Sequence, residues 1–283
     1  MMTVDPADAF HGSILIAAPH FDDEALACGG MVARLPDKER VHLVYAADGA
    51  RSPIPTFSWQ GPPSPDLPQI RMAEARAALD VLGVPQDNAH FLGLPESRLY
   101  KHVETLTQRL GELVRQLEPA HILIPFRYDR HPDHLALHRA MMQALVPASH
   151  RPQVTEYFVY YRWQMLPGRD VRRYVRSDRL MQVDIRQQSE QKKRALECYK
   201  SQTTRYFDWQ DRPILPARRI AEVSSAPELF LRYDPAHPGA RILARWRGWV
   251  LLVHWVEPKL KTVKDRAWAL LRLRGHHHAD QPA

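Results

Sequence analysis

The stretch from Ser13 to Glu24 reads SILIAAPHFDDE. Ile14 to Ala18 is apolar throughout and carries β-branched side chains at Ile14 and Ile16, the pattern of a short strand buried on both faces. Pro19 closes the run, because proline has no amide to give a sheet ladder. One imidazole and three carboxylates follow, His20, Asp22, Asp23 and Glu24, and Glu24 to Leu35 then spaces its apolar residues by three and four, as a helix does. A buried strand passing straight into a helix is one unit of a mostly parallel sheet with helices on its faces. The polar residues fall at the crossing.

Working outward, the same alternation continues. Val41 to Ala46, Ala89 to Gly93, His121 to Phe126 and Val154 to Tyr161 read as strands, and Gln69 to Leu82, Val103 to Leu117 and Pro132 to Leu145 as the helices between them. Leu180 to Ile185 is one more strand, before a helix through Cys198; beyond it the chain turns basic and loses regular period. The expected architecture is α/β: a Rossmann-like, mostly parallel sheet with helices on both faces, plus a less regular basic C-terminal extension. Residues 1–205 are expected to form the core, and 206–283 an extension packing on it with frayed last residues. Ser52 to Pro68 is proline-rich and holds Trp59 and Gly61, which predicts an irregular loop long enough to serve as a lid or substrate wall.

Bulk properties narrow the class. Of 283 residues, 45% are hydrophobic and 25% charged, an ordinary globular balance that excludes a disordered or fibrous chain. Two cysteines, Cys28 and Cys198, are too few for a disulfide framework and fit a reducing cytoplasm. Met1 to Phe10 carries Asp5 and Asp8 without a basic start, so no leader is expected, and no apolar run approaches the roughly 20 residues that span a bilayer. The formal net charge is +7, with the excess gathered late in the chain. There Trp246, Trp249, Trp255 and Trp268 interleave with Arg245, Arg247, Lys259, Lys261, Lys264, Arg272 and Arg274. Two readings stand open: peripheral contact of residues 241–274 with an anionic membrane at its inner face, or core-packed tryptophans among solvated cations. Nucleic acid is not an expected partner.

A second polar cluster repeats the placement of the first. Residues 121–134 read HILIPFRYDRHPDH, so His131, Asp133 and His134 also follow a strand and open a helix. Ligands of an open parallel sheet collect beyond the carboxyl ends of its strands, where the two clusters can converge. Imidazole and carboxylate are the ligand types of catalytic zinc, which keeps one position for water. The adjacent Asp22 and Asp23 allow one ligand and one base. His138, one turn beyond His134, is a rival ligand. Each acidic residue has a plainer reading as a helix-start charge, since carboxylates cap free amides and oppose the helix dipole.

The pair of motifs, Pro-His-Phe-Asp-Asp-Glu at 19–24 and His-Pro-Asp-His at 131–134, resembles the PIG-L-type (LmbE-like) family of zinc-dependent N-acetylglucosaminyl deacetylases. Phe21 departs from that pattern, and the resemblance extends over roughly Ser13 to Gln202. It implies that His20, Asp23 and His134 hold Zn2+, with another divalent ion such as Fe2+ also compatible. It further implies that Asp22 is the general base, that His131 polarises the substrate carbonyl or stabilises its oxyanion, and that Asp133 orients His131. Arg71 and Glu96 would contact substrate, an N-acetyl amino sugar free or carried on a glycolipid or other glycoconjugate. Two other functions remain open from the residues alone: a zinc amidase acting on a non-sugar acyl-amine, and a non-catalytic relative that binds membrane or nucleic acid.

Overall fold

In the computed structural model, residues 1–55, 63–162, 164–210, 212–234 and scattered positions between 248 and 267 are described. They order as β1 (Met2–Thr3), α1 (Pro6–Ala9), β2 (Ile14–Ala18), α2 (Asp23–Arg34), β3 (Val41–Ala47), α3 (Leu67–Leu82), β4 (Ala89–Leu94), α4 (Val103–Leu117), β5 (His121–Pro125) and α5 (Pro132–Leu145). Then come β6 (Gln153–Tyr157), β7 (Leu180–Val183), α6 (Ser189–Glu197), α7 (Lys200–Thr203), α8 (Ala217–Ser225) and β8 (Glu228–Arg232). The expected strands and helices are all present, displaced by a few residues at their ends; α4 and α5 carry the expected bounds.

The eight strands form one sheet in the order β1-β7-β8-β6-β5-β2-β3-β4. β2 pairs in parallel with β3 on one side and β5 on the other, and β3–β4, β5–β6 and β1–β7 are also parallel. The strand period of two splits β2 between two cores. Ile14, Ile16 and Ala18 pack with Ala25, Cys28 and Met31 of α2, Ala78 and Leu79 of α3 and Leu196 of α6. Leu15 and Ala17 face the other way, onto Leu106 and Leu110 of α4 and Leu137 and Met141 of α5. Helices therefore cover both faces. Each wholly buried leucine or isoleucine contributes about 1.5–3 kcal/mol relative to its exposed state, so these two layers dominate the stability of the sheet.

β8 was not foreseen. Its apolar centre, Leu229 to Leu231, is only three residues long and bracketed by Glu228 and Arg232, so it carries little strand signal. It nonetheless runs antiparallel between β6 and β7, and the sheet draws on residues from both sides of position 205. Glu228 also reaches α2, where its carboxylate accepts from Gly30 N–H at 2.7 Å, Met31 N–H at 2.6 Å and the buried Lys192 ammonium at 2.7 Å. Gly30 is needed there: a Cβ would lie 2.6 Å from Ile185.

The described chain divides into two compact units, residues 1–159 with 176–239, and 160–175 with 240–283. The sheet belongs to the first. In the second, Arg162 bridges Asp170, Arg172 grips the Asp170 carboxylate, and Glu257 accepts from Gln164 N–H at 2.8 Å. Of the tryptophans and cations expected to form a basic aromatic surface, Trp249 and Lys259 are described and exposed; the others lie outside the described residues. Residues 56–62 of the expected lid loop, with Trp59 and Gly61, also lie outside them. No helix among the described residues is long and apolar enough to cross a membrane.

Candidate metal centre

β2 and β5 are neighbours whose chains leave toward opposite faces of the sheet, α2 onto one and α5 onto the other, which opens a crevice beyond their carboxyl ends. Both polar clusters stand in it. The turn out of β2 is sharp, and Asp22 makes it at φ 102° and ψ −22°. A non-glycine residue in that region costs on the order of 1–3 kcal/mol and persists only where its surroundings impose it. The carboxylate of Asp22 makes no cap bond to the helix it precedes. Asp23 turns back instead of capping, its Oδ2 accepting from His20 N–H at 3.0 Å. At the second cluster the capping group is a histidine, since His131 Nδ1 accepts from Asp133 N–H at 3.2 Å.

The structure brings His20, Asp23 and His134 together. Asp23 Oδ2 lies 3.2 Å from His20 Nδ1 and 3.3 Å from His134 Nε2, and the two nitrogens are 3.3 Å apart. Donors about 2.0–2.1 Å from a tetrahedral ion stand about 3.3–3.4 Å from one another, so this triangle fits zinc with its fourth side open. The imidazoles of His20, His131 and His134 alone also bring ligand atoms within 4.8 Å of one another. The mixed triangle has the shorter edges and leaves His131 Nδ1 its bond to the Asp133 amide.

Each imidazole of the triangle is backed by a carboxylate. Asp133 Oδ2 stands 3.1 Å from His20 Nε2 and also accepts from Ser97 N–H at 2.6 Å, while Asp133 Oδ1 accepts from Leu99 N–H at 3.0 Å. The sequence reading had this carboxylate behind His131. It faces His20 because two loop amides hold it on that side, and it reaches His131 only through its own backbone N–H. Asp129, which the sequence reading passed over, is fully buried with Oδ2 3.3 Å from His134 Nδ1. Carboxylates behind imidazoles fix the ring and the tautomer, leaving the other nitrogen for a metal. His138 is no part of the cluster; it points to Glu156 Oε1 at 3.1 Å, and that buried carboxylate is also held by Arg127.

The electrostatics ask for positive charge. Burial alone would lower the His20 imidazole, but its bonds to Asp133 and Asp23 outweigh that and raise it to about 9. Burial opposes Asp23 and Asp129 in the same way at His134, which rises to about 10. Burial would raise Asp23, yet His134 and His20 pull it far below the carboxylate range. Without a metal, protons supply the charge; a dication in the triangle takes their place. His131 behaves oppositely: burial, with His20 and His134 beside it, pushes it down to about 3. It is a neutral imidazole whose proton sits on Nε2, since Nδ1 accepts. Burial raises Asp22 to about 8, with Arg71 opposing and the charges of Asp23 and Glu24 adding.

Arg71 and Glu96 sit beside this centre. The Arg71 guanidinium is 1% exposed and bonds Phe21 O, with Nη1 3.4 Å from Glu96 Oε1 and Nη2 3.7 Å from Asp22 Oδ2. It braces the motif from within. Glu96 Oε2 accepts from Arg51 N–H, and Glu96 also lines a cavity of about 330 Å3 with Asp48, Arg51, Arg98 and Pro65.

Residues 15–145 match the family model described as PIG-L, GlcNAc-PI de-N-acetylase. A probable N-acetyl-alpha-D-glucosaminyl L-malate deacetylase 2 from Bacillus cereus is 27% identical over 150 residues, covering 50% of this chain and 65% of that protein. The chain thus matches somewhat under two thirds of that relative's length. Among solved structures, a deacetylase of the teicoplanin biosynthesis pathway has a TM-score of 0.57 at 20% identity, over 79% of this chain and 100% of its own. The N,N'-diacetylchitobiose deacetylase from Pyrococcus horikoshii has a TM-score of 0.54 at 20% identity, over 70% of this chain and 73% of its own. At such identities the likeness to both structures is one of fold. The strand-end motifs, the sheet order and the match over residues 15–145 agree, and through that part the chain is similar to the PIG-L family.

Proposed function

We propose that this chain is a zinc-dependent hydrolase that removes the N-acetyl group from an amino sugar, giving the free amine and acetate. The observation that carries the reading is the triangle of His20 Nδ1, Asp23 Oδ2 and His134 Nε2, with edges of 3.2–3.3 Å and a buried carboxylate behind each imidazole. A dication held there supplies Lewis acidity and lowers the pKa of its water to about 7. Asp22 takes the proton of the attacking water; its pKa of about 8 falls as positive charge enters the triangle, which readies it as a base at neutral pH. His131 serves as a neutral donor, its Nε2–H aimed at the oxygen that becomes negative when the acetyl carbonyl is attacked. Asp22 then returns its proton to the departing nitrogen, and the C–N bond breaks.

The substrate class is carried by the relatives, whose descriptions name N-acetylated sugar compounds. The cavity bordered by Glu96, Arg51 and Arg98 has the size of a small-molecule site and gives Glu96 a place to meet sugar hydroxyls. Metal analysis of the purified protein followed by an acetate-release screen tests the reading. N-acetylglucosamine and N-acetylgalactosamine compounds, free and lipid-linked, form one arm and N-acetyl amino acids the other, with Asp22→Asn as control. Stoichiometric zinc and acetate from the sugar arm, reduced at least a hundredfold in Asp22→Asn, is the expected result. Acetate from the amino-acid arm alone moves the substrate to a non-sugar amide, and a protein that takes up no metal is not this enzyme.

A further inference from the structure

Three contacts hold Asp22 on its unusual backbone. Its N–H donates to Glu24 Oε2 at 3.2 Å, its carbonyl accepts from Leu26 N–H at 2.9 Å, and its carboxylate lies 3.7 Å from Arg71 Nη2. The carbonyl bond is one that any helix start makes, and the arginine holds the side chain and, through Phe21 O, the far end of the preceding peptide. The glutamate takes the N–H of that peptide, the group that turns with the φ of Asp22. Glu24 is 1% exposed, and its other oxygen, Oε1, accepts from the hydroxyl of the fully buried Tyr199. Tyr199 reaches it from just before α7, 175 positions along the chain.

Glu24 is badly placed for a mere helix-start charge. It is buried next to Asp23 and two positions from Asp22, so its own charge works against theirs, and glutamine would fill the same space without that repulsion. A carboxylate kept there is explained by what its two oxygens do: one receives a hydroxyl, and the other takes the Asp22 amide. We propose that Glu24, oriented by Tyr199, is a positioning residue. It holds the Asp22 peptide at positive φ and so keeps the Asp22 carboxylate beside Arg71 and the His20–Asp23–His134 triangle. The inference rests on the reading of Asp22 as the base. Without the grip, Asp22 relaxes to negative φ, and its side chain, hung from the same Cα, leaves its place while the triangle stays.

The test uses the zinc-loaded full-length protein and the acetamide compound that releases most acetate in the screen above. Glu24→Gln keeps one acceptor oxygen and loses the other, and is expected to fall between the parent and Glu24→Ala. Glu24→Ala is expected to lose about ten- to a hundredfold in kcat, the rate equivalent of one strained backbone residue set loose, with KM and zinc content unchanged. Tyr199→Phe follows it with a smaller loss and carries the same test should Glu24→Ala not fold. In an Asp22→Asn background, removing either partner should cost nothing more; an equal loss in both backgrounds overturns the inference. A second readout does not depend on turnover: a crystal structure of Glu24→Ala or Tyr199→Phe is expected to show Asp22 at negative φ, and Asp22 unmoved in either refutes the grip. Full activity of Asp22→Asn itself would refute the base, a separate outcome.

Discussion

Asp129→Asn should weaken zinc binding while leaving the fold intact. The carboxylate is 0% exposed and its Oδ2 lies 3.3 Å from His134 Nδ1, so its charge is felt almost directly by whatever His134 Nε2 holds. Two full charges at that distance interact by about 5 kcal/mol at an effective dielectric of about 20. Most of this is offset by the cost of keeping a carboxylate out of water, and carboxylates behind metal-bound imidazoles are typically worth ten- to a hundredfold in affinity, about 1.4–2.7 kcal/mol. The same carboxylate also holds a proton on His134 when metal is absent, which by itself would make its loss favour metal. It further fixes the tautomer that turns the His134 Nε2 lone pair toward the triangle, and with that lost the net change is weaker binding. Asparagine keeps the shape, so the far-ultraviolet circular dichroism should match the parent. Titration against a fluorescent zinc chelator reads the affinity. A dissociation constant within twofold of the parent would show that Asp129 does not act through His134, and the case for His134 as a ligand would weaken with it.

Two further outcomes follow from the site. His131→Ala should retain zinc and lose about 10²–10³ in kcat, as removal of an oxyanion donor typically does; loss of zinc instead would make His131 a ligand. In metal-free protein the folded-state values of His20 and His134 are raised to about 9 and 10, so the stability they confer is complete below their unfolded value near 6.5 and is lost as pH rises through the folded values. Asp22, raised to about 8, works in the same direction up to that pH. Chelator-treated protein should therefore melt progressively lower from pH 6.5 to 10, and zinc should flatten the curve; a metal-free melting temperature constant over that window would contradict these assignments.

The core of the fold was legible because both of its signals are periodic. β2 through β6 are apolar runs of ordinary length, and α4 and α5 show their buried faces in the spacing of Leu106, Leu110, Leu113 and Leu137, Met141. β8 was not, because three apolar residues between charges do not distinguish a strand from a loop, and its place between β6 and β7 depends on partners far away in the chain. At the site, residue types at strand ends were enough to bring the two clusters to one crevice, and the family resemblance picked out His20, Asp23 and His134 within them. Direction was not: Asp133 stands two residues from His131 yet faces His20, a choice made by the amides of Ser97 and Leu99. Asp129, in the run Arg-Tyr-Asp-Arg, looks like a solvated loop aspartate until the fold buries it. Glu24 reads as a helix-start charge, yet it is buried with one oxygen on the Asp22 amide and the other on Tyr199; Arg71 is buried against Phe21 O and Glu96.

The late strand at Glu228–Arg232 has a consequence for how the molecule comes into being. Among the described residues β7 joins the rest of the sheet only through β8, and β1 only through β7, so the N-terminal strand is tied in by the last of the described strands. A ribosome that has delivered the first two hundred residues has released both strand-end motifs with β2 to β6 around them, while β7 and β1 still lack the strand that joins them to β6. Until position 232 emerges, the exposed edges of β6 and β7 stand open to whatever nascent strand lies nearby, a period in which a chaperone would be of most use.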